Sequence, residues 1–220
     1  MAGEIIECIS LGWANSYLVT GKKTIIVDTS NPGNGEKLLK ALQENGIEPE
    51  DVAMIFITHG HIDHYGSLFE LLKVMDVPVA IHYADDIYLR RGIQGPLYPV
   101  NFIAALIKVV GKRLKIKKRF TPRQQLVFED ELDLSEYGIE GKLVATPGHT
   151  QGSASLVLAD GRAVSGDLVV RRYLRWGPAG PPPFLHDVGQ FHHSLQLLRE
   201  GGVHTLYPGH GAPISLSEVE

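Results

Sequence analysis

The sequence predicts an α/β fold in a single domain over residues 1–220. Runs rich in β-branched residues, separated by turn residues, open the chain. Apolar runs of strand length then alternate with amphipathic helical segments, and the second half repeats this alternation. A chain of this length fits one domain of ordinary size and can bury a hydrophobic core.

The first half starts with strands and then alternates. The runs EIIECIS, NSYLVT and TIIVDT predict a meander of three strands. Residues 35–45 carry leucines at helical spacing, and Gly46 is placed to stop that helix. The apolar run VAMIFIT predicts a buried strand, and SLFELLKVM and PVAIHY predict the next helix and strand.

The second half of the chain also combines predicted strands with a helix. KLVATPGHT, SASLVLAD and RAVSGD predict strands, DVGQFHHSLQLLRE predicts an amphipathic helix capped by Asp187, and HTLYPGHG predicts a last strand and turn. The histidines outside the motifs discussed below lie in the late helix, before its cap or near strand ends. We expect none of these to bind metal: His82, His186, His192, His193 and His204.

The composition excludes several classes of protein. The formal net charge is -4 and the pI is near 6.2, so no global attraction to nucleic acid is expected. The single cysteine, Cys8, excludes a disulfide framework and a multi-thiolate zinc site, and we expect it to be a small buried side chain. No secretory signal and no apolar run of roughly 20 residues is evident. We therefore expect a soluble, cytoplasmic protein.

The stretch FITHGHIDHYGS places four metal-binding side chains within six residues, directly after a predicted buried strand. A core would have to pair or neutralise all four, which makes a purely structural role improbable. Residues two apart in an extended segment point the same way, so His59 and His61 can converge on one ion. Asp63 and His64 lie beyond a bend, and four ligands in one turn therefore indicate two ions.

Strand ends in the second half supply the remaining ligands. His149 would complete a set of three imidazoles, His210 would complete a mixed set, and Asp167 has two oxygens that can bridge the ions. Two ions about 3.5 to 4 Å apart can hold a bridging water as hydroxide and polarise an electrophile. The predicted ligands are His59, His61 and His149 for one ion, Asp63, His64 and His210 for the other, and Asp167 for both.

Four motifs in this order, THGHIDH, TPGHTQGS, SGD and YPGHG, resemble those of the metallo-β-lactamase-fold hydrolase superfamily. The resemblance runs from the first strands to Gly211. It implies a four-layer αββα sandwich of two mixed β-sheets with helices outside. It also implies the same two ligand sets and the same bridging aspartate.

Within that superfamily the nearest patterns are those of glyoxalase II-like thioesterases and lactonases. True β-lactamases of this fold lack an aspartate at the bridging position, and flavodiiron proteins have glutamate where this chain has His61. Glyoxalase II carries a helical C-terminal extension that holds glutathione, whereas only nine residues follow Gly211 here. A glutathione thioester is therefore not expected.

We expect a dinuclear metal-dependent hydrolase in which a metal-bridging hydroxide attacks an ester, thioester or lactone carbonyl. Nitrogen-rich ligands favour zinc, and iron or manganese is also compatible. Asp63 and Asp167 would tune the ions and could relay a proton, although as ligands they would be poor independent bases.

Residues 92–119 are expected to contain a lid insertion. The first part is apolar and aromatic, which suits a hydrophobic acyl or lactone substrate; a packed helix with a solvated basic end fits equally well. Seven Lys or Arg residues fall in 108–119 and could contact an anionic membrane surface, whereas nucleic acid is not favoured. No pattern indicates an oligomeric state.

The proline-rich segment 171–187 follows the bridging aspartate and predicts a stiff loop across the mouth of the site. On position alone, Tyr173, Arg172 or Arg175 could stabilise an oxyanion or hold a substrate carboxylate. Trp176 and Phe184 could add an apolar wall.

Three alternatives stay open at this stage. A persulfide dioxygenase of the same fold would use one iron held by His59, His149 and Asp167. A phosphodiesterase or nuclease is less favoured because the chain lacks the extra domains of such nucleases. A catalytically idle binding module would leave an intact ligand set without a purpose.

Overall fold

The computed structural model describes residues 3–111, 122–171 and 177–219 of the chain. Within these residues two six-stranded mixed sheets face each other, and helices pack on their outer faces. The predicted αββα sandwich is confirmed. All element labels below refer to the described residues.

The first sheet has the order β1-β2-β3-β4-β5-β6. The meander β1–β3 is antiparallel, and β3 to β6 are parallel. Parallel strands are buried on both faces, which explains why β4 reads as a continuous apolar run. The strands span Ile5–Ser10, Asn15–Thr20, Thr24–Val27, Val52–Phe56, Val79–His82 and Gln125–Phe128.

The second sheet has the order β14-β13-β10-β9-β8-β7, in which only the β10–β13 pair is parallel. Its strands, from β7 to β10 and then β13 and β14, span Glu131–Asp133, Gly141–Ala145, Ala154–Leu158, Arg162–Gly166, Thr205–Pro208 and Ile214–Ser215. A separate two-stranded pair, β11 and β12, covers Val170–Arg171 and Ala179–Gly180.

The helices agree with the predictions at α1 and α6, and α5 lies within residues 92–119, where a helix was also expected; α2 to α4 differ. The helix predicted over SLFELLKVM is only one turn long, α3, and is preceded by another single turn, α2, inside the histidine motif. Helix α4 follows β5 directly and was not predicted. The six helices of the described residues, α1 to α6, span Gly35–Glu44, Ile62–Tyr65, Leu68–Leu71, Tyr83–Arg91, Phe102–Gly111 and Val188–Glu200.

Three apolar clusters hold these layers together. The first lies between the first sheet and helices α1 to α4, with Leu38 and Ile55 among its members. The second lies between the two sheets, where Phe56 faces residues such as Leu156. The third packs α6 on the second sheet. Burying each such side chain contributes on the order of 1.5–3 kcal/mol, so the packed layers form a rigid support for the loops at the strand ends.

The prediction for Cys8 is wrong. Its side chain is exposed, because β1 is the edge strand of the first sheet and all six of its residues are exposed or only partly buried. None of the described helices is long and apolar enough to cross a membrane.

The segment predicted as a lid is partly described. Gly92 ends α4 in the left-handed conformation, with a φ of 61°. Helix α5 begins with Phe102, whose side chain is 83% exposed, followed by the exposed Ile103. Residues 112–119, which contain most of the basic cluster, lie outside the described residues, so the lid and the membrane contact stay predictions.

Candidate metal centre

The candidate ligands lie on loops that leave the carboxyl ends of four strands. The loop after β4 runs into α2 and carries the histidine motif, and His149 lies on the loop after β8. Asp167 follows β10 and His210 follows β13. Because β10 and β13 are parallel neighbours with Gly166 opposite Pro208, their two loops emerge side by side. Function concentrates on such loops when a rigid sheet positions them.

Three buried imidazoles form one group. Nε2 of His59 lies 3.1 Å from Nδ1 of His61, and Nε2 of His149 lies 3.0 Å from the same Nδ1. All three side chains are nearly inaccessible to solvent. His59, His61 and His149 are called the triple-imidazole group from here on.

A second group lies beside it and is more open to solvent. Nε2 of His210 is 3.5 Å from Oδ2 of Asp63, and Nε2 of His64 is 3.9 Å from the same oxygen. The side chains of Asp63 and His210 are each 22% exposed, whereas His64 is completely buried. Asp63, His64 and His210 are called the mixed group.

Asp167 lies between the two groups. Its Oδ2 is 3.6 Å from Nε2 of His149 and 3.3 Å from Nε2 of His210, and its Oδ1 is 3.5 Å from Nε2 of His64. The structure therefore brings all seven predicted ligand residues together and puts the predicted bridging residue in contact distance of both groups. That these residues bind metal stays a prediction.

The ring nitrogens that point away from the cluster all have hydrogen-bond partners. Such outer partners fix the tautomer of a metal-binding imidazole, so that the other nitrogen presents a lone pair. Three of the partners are backbone carbonyls: His61 Nε2 donates to Pro96 at 3.2 Å, His149 Nδ1 to Phe184 at 2.7 Å and His210 Nδ1 to Trp13 at 2.8 Å. The other two are side chains: His64 Nδ1 donates to Asp28 Oδ2 at 2.7 Å, and His59 Nδ1 lies 3.1 Å from the Thr58 hydroxyl oxygen.

This arrangement fits cations. Within the part of the chain that is described, Nε2 of His64 and Oδ1 of Asp167 are buried without any hydrogen-bond partner. Buried polar atoms are rarely left unpaired, and in the triple-imidazole group the inward lone pairs of three neutral rings repel one another. The ligand atoms of the triple-imidazole group and of the mixed group each lie within 4.8 Å of one another, which is the spacing of a site that closes around an ion.

The electrostatics differ between the groups. Burial lowers the pKa of His59 and that of His61, and it lowers the pKa of His149 to about 4, so the triple-imidazole group is neutral at pH 7. Burial also acts to lower the pKa of His64, but the carboxylates of Asp167, Asp28 and Asp63 outweigh it and raise the pKa to about 10. Asp167 likewise opposes burial at His210 and raises its pKa to about 8.

Asp28 is a functional residue that the sequence analysis missed. It is buried, and besides His64 it accepts the backbone N–H of Thr58 at 2.8 Å and the Thr58 hydroxyl at 2.8 Å. Its φ of 58° lies in the left-handed region, which is uncommon outside glycine and often marks a functional constraint. The available signal was a carboxylate placed directly after the fully buried strand TIIV.

The segment 92–100, called the wall segment, closes the side of the site next to His61. The Gly95 N–H donates to the Gly60 carbonyl at 2.9 Å, and Oε1 of Gln94 accepts from the Ile62 N–H at 3.0 Å. With the Pro96 carbonyl on His61, this segment contacts the histidine turn at three points.

Several predicted substrate-binding residues lie outside the described residues: Arg172, Tyr173, Arg175 and Trp176. Their roles stay predictions. Phe184 is described and is partly buried, and its contribution to the site is the backbone carbonyl that orients His149.

Comparisons with known proteins agree with this geometry. A family model described as the metallo-beta-lactamase superfamily matches residues 11–210. A probable metallo-hydrolase of Methanocaldococcus jannaschii is 30% identical over 204 residues, which cover 90% of this chain and 87% of that protein. The probable metallo-hydrolase YflN of Bacillus subtilis is 28% identical over 210 residues, covering 87% of this chain and 76% of that protein.

Solved structures show the same fold. TTHA1623 in a di-iron-bound form superposes with a TM-score of 0.67 at 24% identity, covering 97% of this chain and 96% of that one. The BLEG-1 B3 metallo-beta-lactamase superposes with a TM-score of 0.69 at 20% identity, covering 97% and 95%.

Proposed function

Because this chain belongs to the metallo-β-lactamase superfamily, we propose that it is a dinuclear metal-dependent hydrolase that cleaves an ester, thioester or lactone bond. One observation carries the proposal. Seven side chains from four loops gather in two adjoining groups, in each of which the ligand atoms lie within 4.8 Å of one another, and the outward nitrogens of the five histidines have hydrogen-bond partners outside the cluster.

In this proposal the triple-imidazole group would hold one divalent ion, the mixed group would hold the other, and Asp167 would serve both. When bound, two such ions would activate a water molecule near neutral pH and polarise a carbonyl oxygen. The di-iron form of TTHA1623 supports two ions in a protein of this fold. Zinc, iron and manganese all suit the ligand set.

The residues of the chain have distinct tasks. Asp167, whose side chain is 9% exposed, holds the two groups together. Asp63 is more accessible, with 22% of its side chain exposed, and lies next to His210 at the open side. We assign Asp63 to proton relay between the site and solvent, since a carboxylate at the mouth can exchange a proton and Asp167 cannot do so as readily.

The surroundings support a substrate with an apolar acyl part. Trp13 is 65% exposed although its ring lies 5.9 Å from that of His210, and its backbone carbonyl orients the same histidine. Amphipathic aromatic rings beside a polar centre are common in sites for small molecules.

The experiment is turnover of a substrate panel by protein stripped of metal and reloaded with zinc, manganese or iron. The panel contains lactones, thioesters, aryl esters, a β-lactam, a phosphodiester and a persulfide. We expect turnover of one carbonyl class and loss of it in Asp167→Asn. Turnover of the phosphodiester alone would favour a nuclease, and oxygen uptake on the persulfide with one iron per chain would favour a dioxygenase.

A further inference from the structure

Asp85 lies outside the seven candidate ligands and connects two of the loops that carry them. Its side chain is 1% exposed. Oδ2 accepts the backbone N–H of Gly60 at 2.7 Å and the hydroxyl of Thr150 at 2.7 Å. Oδ1 accepts the backbone N–H of Gly152 at 3.2 Å. One carboxylate from α4 therefore ties the loop after β4 to the loop after β8.

These contacts fall next to the triple-imidazole group. Gly60 is the residue between His59 and His61, and Thr150 directly follows His149. The direction in which a side chain projects depends on the backbone that carries it. A hydrogen bond at each of these positions therefore fixes how the three imidazoles converge, as outer partners do for metal ligands in general.

The two backbone N–H groups that reach Asp85 both belong to glycines. A Cβ atom on Gly60 would lie 3.3 Å from Cβ of Asp85 and 2.7 Å from Cδ2 of Tyr88. A Cβ atom on Gly152 would lie 2.6 Å from Cγ of Asp85. The close approach of both backbones to one carboxylate is thus a specific feature of these loops.

Burying the carboxylate of Asp85 costs free energy that the protein must offset elsewhere. A buried carboxylate loses its hydration, and none of the described Lys or Arg residues forms an ion pair with it. A favourable interaction with the N-terminus of α4 does not require burial. Asp86, in the same first turn, is more accessible, and it pairs with Arg90 at 2.6 Å and with Gln125.

We propose that Asp85 is the positioning residue for the ion held by the triple-imidazole group, an inference that rests on the metal centre proposed above. It acts through the two loops and does not itself contact the ion. Asn at this position keeps the shape but removes the charge. Its amide nitrogen would also face a donor, either the N–H of Gly152 or the pair formed by Gly60 and Thr150.

The test uses the full-length protein freed of metal, as wild type, Asp85→Asn and Asp86→Asn. Each is titrated with Zn²⁺ in competition with a chromophoric chelator, which yields the two dissociation constants. Histidine ¹⁵N NMR then identifies which imidazoles respond to each ion. Asp86→Asn is the matched control, because it makes the same change of charge in the same turn of α4 without touching either loop.

In Asp85→Asn we expect the ion that shifts the triple-imidazole signals to bind about 10- to 100-fold more weakly. The ion at the mixed group should be weakened by a smaller factor, because the described hydrogen bonds of Asp85 go to Gly60, Thr150 and Gly152 and none goes to Asp63, His64 or His210. Asp86→Asn should leave both constants unchanged. Equal weakening of both ions, or no weakening of either, overturns the proposal.

A second variant keeps the proposal testable if Asp85→Asn does not fold. Thr150→Val has nearly the same shape and removes one donor to Asp85, so it should weaken the same ion by a smaller factor; an unchanged constant contradicts the proposal. A wild-type protein that binds none of Zn²⁺, Mn²⁺ and Fe²⁺ would overturn the proposed function itself. Two ions in the wild type with an insensitive Asp85→Asn would overturn this inference alone.

Discussion

Nδ1 of His64 donates to Oδ2 of Asp28 at 2.7 Å, although 36 residues separate the two along the chain. Both side chains are buried, at 0% and 3% exposure. The pairing fixes the proton of His64 on Nδ1 and leaves Nε2 directed at Asp167 and Asp63 without a hydrogen-bond partner among the described residues. One carboxylate outside the ligand set thus prepares a ligand of the mixed group.

The first prediction concerns that carboxylate. In Asp28→Asn the amide nitrogen would face either the His64 ring or the Thr58 donors, which favours the tautomer of His64 that carries its proton on Nε2. Asn tolerates the left-handed backbone, so little strain is added. We expect the ion at the mixed group to bind about 10- to 100-fold more weakly in chelator competition. Asp51→Asn, an exposed carboxylate, is the control, and equal affinities for the two variants would contradict the prediction.

The second prediction concerns metal removal. Ions that bind only the folded chain stabilise it, by about 4 kcal/mol at 1,000 times the Kd. For a domain of this size that corresponds to a fall in Tm of about 8 to 16 °C when a chelator strips the ions. Differential scanning calorimetry measures the shift. His149→Ala should show a smaller fall in Tm, because it removes one of the proposed ligands. A wild-type Tm that the chelator leaves unchanged would count against bound ions.

The third prediction concerns pH in the metal-free protein. The pKa of His149 is lowered to about 4 from an ordinary value of 6.5, so below pH 6.5 the unfolded chain binds more protons than the folded one. Stability from this group is present above pH 6.5 and is lost as the pH falls towards 4, by about 3 kcal/mol in total. Urea unfolding between pH 4 and 7 measures the slope.

The stability of the metal-free protein should also change with pH above 6.5. The pKa values of His64 and His210 are raised to about 10 and about 8, so between pH 6.5 and those values the folded chain holds more protons. Their contribution is complete below pH 6.5 and is lost as the pH rises through 8 and then 10. The metal-free protein should therefore be most stable near pH 6.5. A stability that still rises steadily from pH 7 to 10 would contradict this assignment.

The fourth prediction concerns the wall segment. A Cβ atom on Gly95 would lie 2.8 Å from the carbonyl oxygen of Gly60 and 3.1 Å from Cδ2 of His61. Gly95→Ala should push the segment away from the histidine turn and cost about 1–3 kcal/mol in the free energy of unfolding. Gly3→Ala, where the nearest atom is 4.0 Å away, is the control. Equal stability of the two variants in urea unfolding would show that the segment is not packed as described.

The sequence was sufficient to predict which seven side chains gather in the cluster and to predict most of the framework. His59 and His61 could be predicted to share one ion because residues two apart in an extended segment point the same way, which is local geometry. The continuous apolar run of β4 likewise predicted a buried strand from local sequence alone. The later members of the cluster, His149, Asp167 and His210, were predicted because each follows a strand, and functional residues concentrate on loops at strand ends.

Other features depend on contacts between distant segments and could not be found in this way. Asp28 and Asp85 each follow a strand, as the candidate ligands do, but their roles depend on residues that are distant in the sequence. The hydrogen-bond partners of Asp28 are at least 30 residues away along the chain, and those of Asp85 at least 25. Cys8 was expected to be buried because its segment alternates, yet the edge position of β1 leaves it exposed. Strand order, which decides both outcomes, is not encoded in local periodicity.

Diffraction from crystals of the reloaded protein, recorded at the absorption edge of the added metal, tests the central claim most directly. The account predicts two anomalous peaks per chain, one bonded by the triple-imidazole group and one by the mixed group, with Asp167 bonded to both. A single peak, or a cluster that binds no metal while the seven side chains remain in place, would contradict it.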